Sequence, residues 1–283
     1  MIRIITDSAA DLSPEEYAQL NITCIPLTVM FGESEYQENI NLSKDQFYQL
    51  LLASDVPPKT AQPSPQYLMD LFEEAHASGD GAIYIPLSSA ISGTYQTALM
   101  TKNMLGYDDC HVVDSRNATG GQRLLVQYAA QLRDEGKTAN EIIAGLEDLR
   151  SRISLFACID TLEYLYKGGR ISQTVYKLGT LANIKPIITV EETGSIGIPA
   201  KAMGMRKGMD TLCKHAAARP ADPDFPFYVM YTNNRAVARD LAKKLENMGI
   251  TVDEAHTIRV GAGIGSHIGP DACGLVYVAA KYA

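Results

Sequence analysis

Three short loops set hydroxyls beside a carboxylate or a glycine directly after β-branched runs: Thr6-Asp7-Ser8, Ser88 to Thr94, and Asp114-Ser115-Arg116-Asn117. In open α/β sheets, ligands collect beyond the carboxyl ends of the strands. Chemistry is therefore sought first in these loops. Ser92-Gly93-Thr94 is the most informative. Gly93 lets backbone approach a ligand closely, and Ser92 and Thr94 stand just before a helix whose unpaired N–H groups favour an anion. The same hydroxyls suit a plain helix cap, and the local sequence leaves both roles open.

His267 stands apart from the other histidines by its setting, Gly261-Ala262-Gly263-Ile264-Gly265-Ser266-His267-Ile268-Gly269-Pro270. Such glycine density predicts a turn whose backbone comes against another surface, with an imidazole at its tip. An imidazole N–H can donate to a carboxylate; a purely structural histidine fits the same pattern. The cationic candidates are Arg170, Lys185 and Arg206, with Lys167 and Lys207 beside them. A helix is expected to end at Lys167, with Gly168 at the position after its cap and Arg170 on the following loop. These cations offer a patch for a phosphate or an acidic partner, or simply solvated side chains at a helix end.

Other chemistries lack support. No G-x-S-x-G surrounds Ser92, so a serine hydrolase has no motif. G-x-x-x-x-G-K-[ST] and a G-x-G-x-x-G after the first strand are both missing, which removes the usual nucleotide signatures. His76, His111, His215, His256 and His267 form no H-x-x-x-H pair, and no metal site is expected. The five cysteines, Cys24, Cys110, Cys158, Cys213 and Cys273, are scattered and read as buried thiols rather than disulfides. A formal charge of −8 repels phosphodiester backbones, so nucleic acid is not an expected partner. No run approaches the roughly 20 apolar residues of a membrane span, and the opening MIRIITDSAADL has no signal-peptide plan. The expected location is cytoplasmic.

The elements that must position these residues follow from periodicity and punctuation. Strands are expected at Ile2–Thr6, Thr23–Met30, Gly81–Leu87 and His111–Asp114. Helices are expected from Pro14, Lys44, Pro65 and Gly120, the first three capped by Ser13, Ser43 and Ser64. The stretch Asp55 to Pro65 contains four prolines and is expected to be loop throughout. This alternation predicts a Rossmann-like, mostly parallel sheet over residues 1–154. After the helix Ala139–Ile153, strands are expected at Leu155–Ile159, Ile184–Val190, Gly194–Ala202, Phe227–Thr232, Thr251–Arg259 and Gly274–Ala279. The second and third of these read as a hairpin joined by Glu191-Glu192-Thr193-Gly194. Residues 155–283 are therefore expected to form an α+β domain with a mixed or antiparallel sheet. The fold class is α/β.

Seven segments then take on a joint meaning: I-I-T-D-S-A-A-D-L, P-P-K-T-A-Q-P-S-P, L-S-S-A-I-S-G-T-Y-Q, V-V-D-S-R, L-E-Y-L-Y-K-G-G-R-I-S, N-I-K-P-I-I and G-I-G-S-H-I-G-P. In this order, and spread over essentially the whole chain, they resemble the DegV family of fatty-acid-binding proteins. The resemblance implies an acyl chain in an internal tunnel with its carboxylate held by Thr60, Ser92 and His267, supported by Ala61, Gly93, Thr94 and Ser266. It implies a carrier of a long-chain fatty acid such as palmitate, stearate or oleate, with no cofactor and no catalytic residue. A dihydroxyacetone-kinase-like fatty acid kinase subunit is the partner it implies, receiving the acid for acyl-phosphate formation. Two departures stand out. Ala61 replaces the serine of the family's T-S-Q-P-S, and Asn117-Ala118-Thr119-Gly120-Gly121 replaces bulkier residues, which bears on the tunnel wall.

The physics suits a carrier. Each buried methylene contributes on the order of 0.8 kcal/mol, and the single anionic head must be satisfied. Hydroxyls and an imidazole, with no strong cation close by, would let the acid leave again. Two other readings remain open: an acyl hydrolase or transferase using Ser92 with His267, and a lipid-responsive sensor that docks a partner through Gly168–Ser172.

Overall fold

The computed structural model describes residues 1–179 and 183–281. The chain runs through β1 (Ile2–Asp7), α1 (Pro14–Gln19), β2 (Ile22–Ile25), β3 (Thr28–Phe31), β4 (Ser34–Gln37), α2 (Lys44–Ala53), β5 (Lys59–Ala61), α3 (Pro65–Ala77) and β6 (Gly81–Ile85). It continues with α4 (Thr94–Leu105), β7 (Cys110–Val112), α5 (Thr119–Asp134), α6 (Ala139–Arg152), β8 (Ile153–Ile159), α7 (Glu163–Lys167), α8 (Gln173–Gly179), β9 (Ile184–Val190) and β10 (Ile196–Met203). The last elements are α9 (Gly204–Ala218), β11 (Tyr228–Tyr231), α10 (Arg235–Glu246), β12 (Thr257–Arg259), α11 (Ala262–Ile268) and β13 (Ala272–Val278).

Local chemistry explains the helix starts. Ser13 with Glu16, Ser43 with Gln46, and Thr138 with Glu141 each close a reciprocal capping box at the head of α1, α2 and α6. Ser64 accepts from Tyr67 N–H at the head of α3. A side-chain cap of this kind stabilises a helix by about 1 kcal/mol.

The class is α/β, with three sheets. The first has four parallel strands in the order β2-β1-β6-β7. The second is mixed, in the order β10-β9-β8-β13-β11-β12, antiparallel except where β11 meets β12. The third is small and antiparallel, β4-β3-β5. Its existence corrects two expectations. The single strand expected at Thr23–Met30 is two, because Pro26 has no N–H for a ladder and fixes its own φ; β2 stays in the parallel sheet and β3 leaves it. The proline loop is not irregular throughout. Lys59, Thr60 and Ala61 lie between Pro58 and Pro63 with their donors intact, and they pair with Met30, Val29 and Thr28.

Several boundaries also differ. Thr251–Arg259 contributes only β12, because Asp253 accepts from Ala255 N–H and starts a 3-10 turn over Glu254–His256. The β9–β10 hairpin is present, with an irregular register between Gly197 and Ala200 around Pro199. At the end of α7 the left-handed residue is Gly169, with φ +76°, rather than Gly168.

The glycine-rich segment at 261–269 is a helix, α11, rather than a turn. Its glycines serve close packing: a Cβ at Gly265 would lie 2.7 Å from the Phe47 ring and 2.9 Å from Tyr48 Oη. The largest apolar cluster joins both parts of the chain, bringing Ile4, Leu12 and Ile83 together with Leu155, Val276 and Val278 through the inner face of α5.

Candidate functional site

A cavity of about 350 Å³ opens where the small sheet, α11 and the loop before α4 meet the face of the six-stranded sheet. That size lies within the roughly 300–1,000 Å³ usual for small-molecule sites. Its interior is apolar: Leu155 and Ala157 from β8, Ile188 and Val190 from β9, Met230 from β11, and Leu27, Leu87 and Val260 opposite. The hydroxyls of Thr119 and Thr232, deeper in, are already committed, to the Asp11 carboxylate and the Pro270 carbonyl. Little inside the cavity therefore calls for water.

The mouth is different. Thr60 Oγ1, on β5, lies 2.8 Å from His267 Nε2, on the last turn of α11. Nδ1 of the same ring faces Gly168, where a Cβ would lie only 2.2 Å away. The Gly168 carbonyl accepts from Arg170 Nη1, and Arg170 Nε donates to the Ile91 carbonyl at 3.0 Å. Ser92 follows, its Oγ 2.8 Å from Thr94 Oγ1. Beside it Gly93 lies under the Gln62 side chain, whose Oε1 would be 2.2 Å from a Cβ there. Gln62 is held by Thr97 Oγ1 at 2.8 Å and leads back through Ala61 to Thr60. These contacts link the polar groups that line the cavity into one connected chain.

The electrostatics of these groups select a neutral imidazole. Burial pushes the His267 pKa down to about 3, and the Arg170 guanidinium pushes in the same direction. Nδ1 is buried with no hydrogen-bond partner among the described residues. A proton there would be an orphaned buried N–H, costing about 1–3 kcal/mol. The proton therefore sits on Nε2 and is donated to Thr60 Oγ1, which leaves the Thr60 hydroxyl hydrogen free to point at the cavity. Arg170 supplies positive charge beside His267, and burial lowers its own pKa from a high value.

The sequence-picked residues meet in part. Thr60, Ser92 and His267 all line the one cavity, as do Ala61 and Gly93. Thr94 is buried and touches the site through Ser92. Ser266 points away, donating to the Ala262 carbonyl within α11. The three cations do not make one patch. Arg170 lines the cavity, Lys185 is paired with Asp160, and Arg206 is exposed on α9. Arg170 also overturns the expectation that no strong cation stands near the head-group position. The loop Thr6-Asp7-Ser8 is structural: Asp7 accepts from Leu87 N–H and Gln122, and burial raises its pKa to about 6. Ser115 bonds the Asn117 carbonyl, and Asp114 takes Ser89 and the Arg116 N–H.

Gln62 and Ile91 were missed. Gln62 sits in a loop where the prolines dominate the local signal and the resemblance points only to Thr60 and Ala61, and Ile91 contributes a backbone carbonyl, which leaves no mark in a sequence. Among the described residues no group of His, Cys, Asp and Glu could hold a metal ion, and no helix is long and apolar enough to cross a membrane.

Known proteins resemble this chain over its whole length. A DegV domain-containing protein of Caldanaerobacter subterraneus subsp. tengcongensis is 31% identical over 277 residues, covering 98% of both chains. A Thermus thermophilus DegV family protein described as fatty acid binding superposes with a TM-score of 0.88 at 29% identity, covering 99% of both chains. DegV of Bacillus subtilis, described as a fatty acid binding protein, superposes with a TM-score of 0.82 at 29% identity, again covering 99% of both. The sequence model of the DegV family, whose members are described as uncharacterised, matches residues 1–280, and this chain belongs to the DegV family.

Proposed function

We propose that the chain binds one long-chain fatty acid, with the tail in the apolar cavity and the carboxylate at its polar mouth. The single observation that carries this reading is the combination in one cavity of a mainly apolar lining with the polar side chains of Thr60, Ser92, His267 and Arg170. A long hydrocarbon with one anionic end matches that division. The tail gains on the order of 0.8 kcal/mol per buried methylene, and the head exchanges water for fixed donors and one cation.

In this reading Thr60 donates to the carboxylate, and His267 acts through it. The imidazole fills the second lone pair of Thr60 Oγ1 and so directs the hydroxyl outward. Ser92 donates in the same way when Thr94 donates to Ser92. Arg170, anchored by two carbonyls, adds charge without having to contact the ligand. The fatty-acid binding described for the Thermus thermophilus and Bacillus subtilis proteins supports a fatty acid as the ligand.

A carrier that hands the acid to a separate kinase-like subunit extends the proposal, as does a cytoplasmic setting. The acid is of the palmitate, stearate or oleate class. The serine-enzyme alternative finds no support in the geometry. Ser92 Oγ is paired with Thr94 and His267 Nε2 with Thr60, so no serine–imidazole couple is formed. The deciding experiment is calorimetric titration of the delipidated chain with palmitate, stearate and oleate, alongside Ser92→Ala and an assay for acyl ester turnover. Saturable binding, weakened in Ser92→Ala and without turnover, is the expected result. Turnover that Ser92→Ala abolishes while binding persists would replace the carrier with an enzyme.

A further inference from the structure

α11 is a poor helix by its own sequence. It has seven residues, two of them glycine, and its cap residue Gly261 offers no side chain. A helix so short does not persist on local hydrogen bonds, yet its last turn carries His267. What holds it comes from far away in the chain. Gly261 N–H donates to Asp11 Oδ1 at 2.7 Å, Ala262 N–H to Glu38 Oε1, and Gly263 N–H to Glu38 Oε2 at 3.2 Å.

Glu38 is only 1% exposed and also receives the Ser8 hydroxyl at 2.7 Å. The approach is tight: a Cβ at Gly261 would lie 2.1 Å from Glu38 Oε1, and one at Gly263 would lie 3.1 Å from Oε2. Gly261 is thus required by the carboxylates rather than by a turn, and Gly263 by Leu27, whose Cδ1 would lie 2.9 Å from a Cβ there, together with Glu38.

Glu38 directly follows β4, and its own N–H donates to the Leu27 carbonyl just before β3. Thr60 lies on β5, paired with Val29 of β3, and Val29 pairs on its other side with Tyr36 of β4. The small sheet therefore touches α11 twice, at the first turn through Glu38 and at the last through Thr60.

We infer that Glu38 is a positioning residue for the head-group end of the cavity: the β4-β3-β5 sheet clamps α11 at both ends and thereby sets where the His267 imidazole stands. This rests on the reading of the cavity as a fatty-acid site. Burial disfavours the charge of Glu38 most and Asp11 adds to it, holding its pKa above the usual carboxylate range, while the Ser8 hydroxyl, Lys44, which lies 3.5 Å from Asp11, and the Gly263 N–H favour the charge.

The test uses the full chain with ring-15N-labelled histidine, in wild type, Glu38→Ala, Glu38→Gln and the remote core variant Phe72→Leu. Phe72, on α3, packs against Tyr84 in a cluster that includes no residue of α11. Wild type should show His267 as the Nε2–H tautomer, neutral well below pH 6. In Glu38→Ala that signature should disperse, the His267 pKa should climb toward the ordinary ~6.5, and oleate binding should weaken about tenfold or more. Glu38→Gln keeps one acceptor oxygen for two N–H groups and should move the His267 signals partway, which carries the test if the alanine variant does not fold. Phe72→Leu should lower thermal stability while leaving the His267 signals in place. Unchanged His267 signals and oleate affinity in a folded Glu38 variant would overturn the inference, as would equal changes in Phe72→Leu. If wild type binds no oleate but the His267 signals still follow Glu38, the positioning stands and the fatty-acid reading fails.

Discussion

The His267 ring meets Thr60 at 2.8 Å across 207 residues of sequence, and the imidazole nitrogen on the other side of the ring faces Gly168 and has no hydrogen-bond partner among the described residues. That pair fixes one tautomer and makes the threonine hydroxyl, rather than the imidazole, the group that addresses a ligand.

Thr60→Val removes the hydroxyl at nearly constant volume and leaves His267 Nε2–H without its acceptor. Fatty-acid affinity should fall by about 1–2 kcal/mol, roughly 5- to 30-fold. Thr60→Ser keeps the hydroxyl and should stay close to wild type. Competition against a fluorescent fatty acid measures both; equal affinity for Val and Ser variants would remove Thr60 from the grip.

Gly168 and Gly169 separate crowding from backbone strain. A Cβ at Gly168 meets His267 Nδ1 at 2.2 Å and the Tyr164 carbonyl at 3.0 Å, while one at Gly169 meets nothing within 4 Å but sits at φ +76°. Gly168→Ala should therefore weaken ligand binding by about tenfold or more through a displaced imidazole. Gly169→Ala should cost about 1–2 kcal/mol of stability and leave binding near wild type. Parallel binding and urea-unfolding measurements distinguish the two.

Much of the frame was legible in the sequence, because β-branched runs ending in polar loops specify a parallel sheet and serine caps mark the helix starts. The site was legible in pieces. Ser92 and His267 each carried a local signal, but their convergence depends on α11, whose glycines hide helical periodicity. β5 was hidden because prolines on either side of Lys59–Ala61 mask three residues that pair normally. Arg170 read as a cation after a helix end, since nothing local says that Ile91 and Gly168 carbonyls will hold it over a cavity. Glu38 carried no signal at all, the two α11 N–H groups it holds lying more than 200 positions away.

The buried neutral imidazole has a pH signature. The His267 pKa lies near 3 in the folded chain and near 6.5 when unfolded, so the unfolded state takes up the proton first as pH falls. Its stability contribution is complete above pH ~6.5 and is lost progressively toward pH ~3, at up to about 1.4 kcal/mol per pH unit. Asp7 acts in the opposite sense, because its pKa is raised to about 6 and its contribution is lost as pH rises from below 4 to that value. Asp7 is common to wild type and His267→Gln, so it cancels in their difference. Between pH 7.5 and 5.0, wild type should lose about 2 kcal/mol relative to His267→Gln in urea unfolding. Parallel pH profiles would show that the imidazole is not held neutral.

Ala157 lines the tail region on β8. Ala157→Leu should fill part of the cavity and shorten the preferred acid. Each methylene excluded costs about 0.8 kcal/mol, or roughly fourfold in affinity, so stearate should lose more than laurate. Equal losses for both acids would place the tail elsewhere.

Native mass spectrometry of the intact chain, gently purified from cells and then exposed to oleate after delipidation, tests the central claim most directly. The account predicts a mass increment of one long-chain fatty acid per chain, lost on delipidation and restored by oleate. An unchanged mass before and after, with no uptake of palmitate, stearate or oleate, would contradict it.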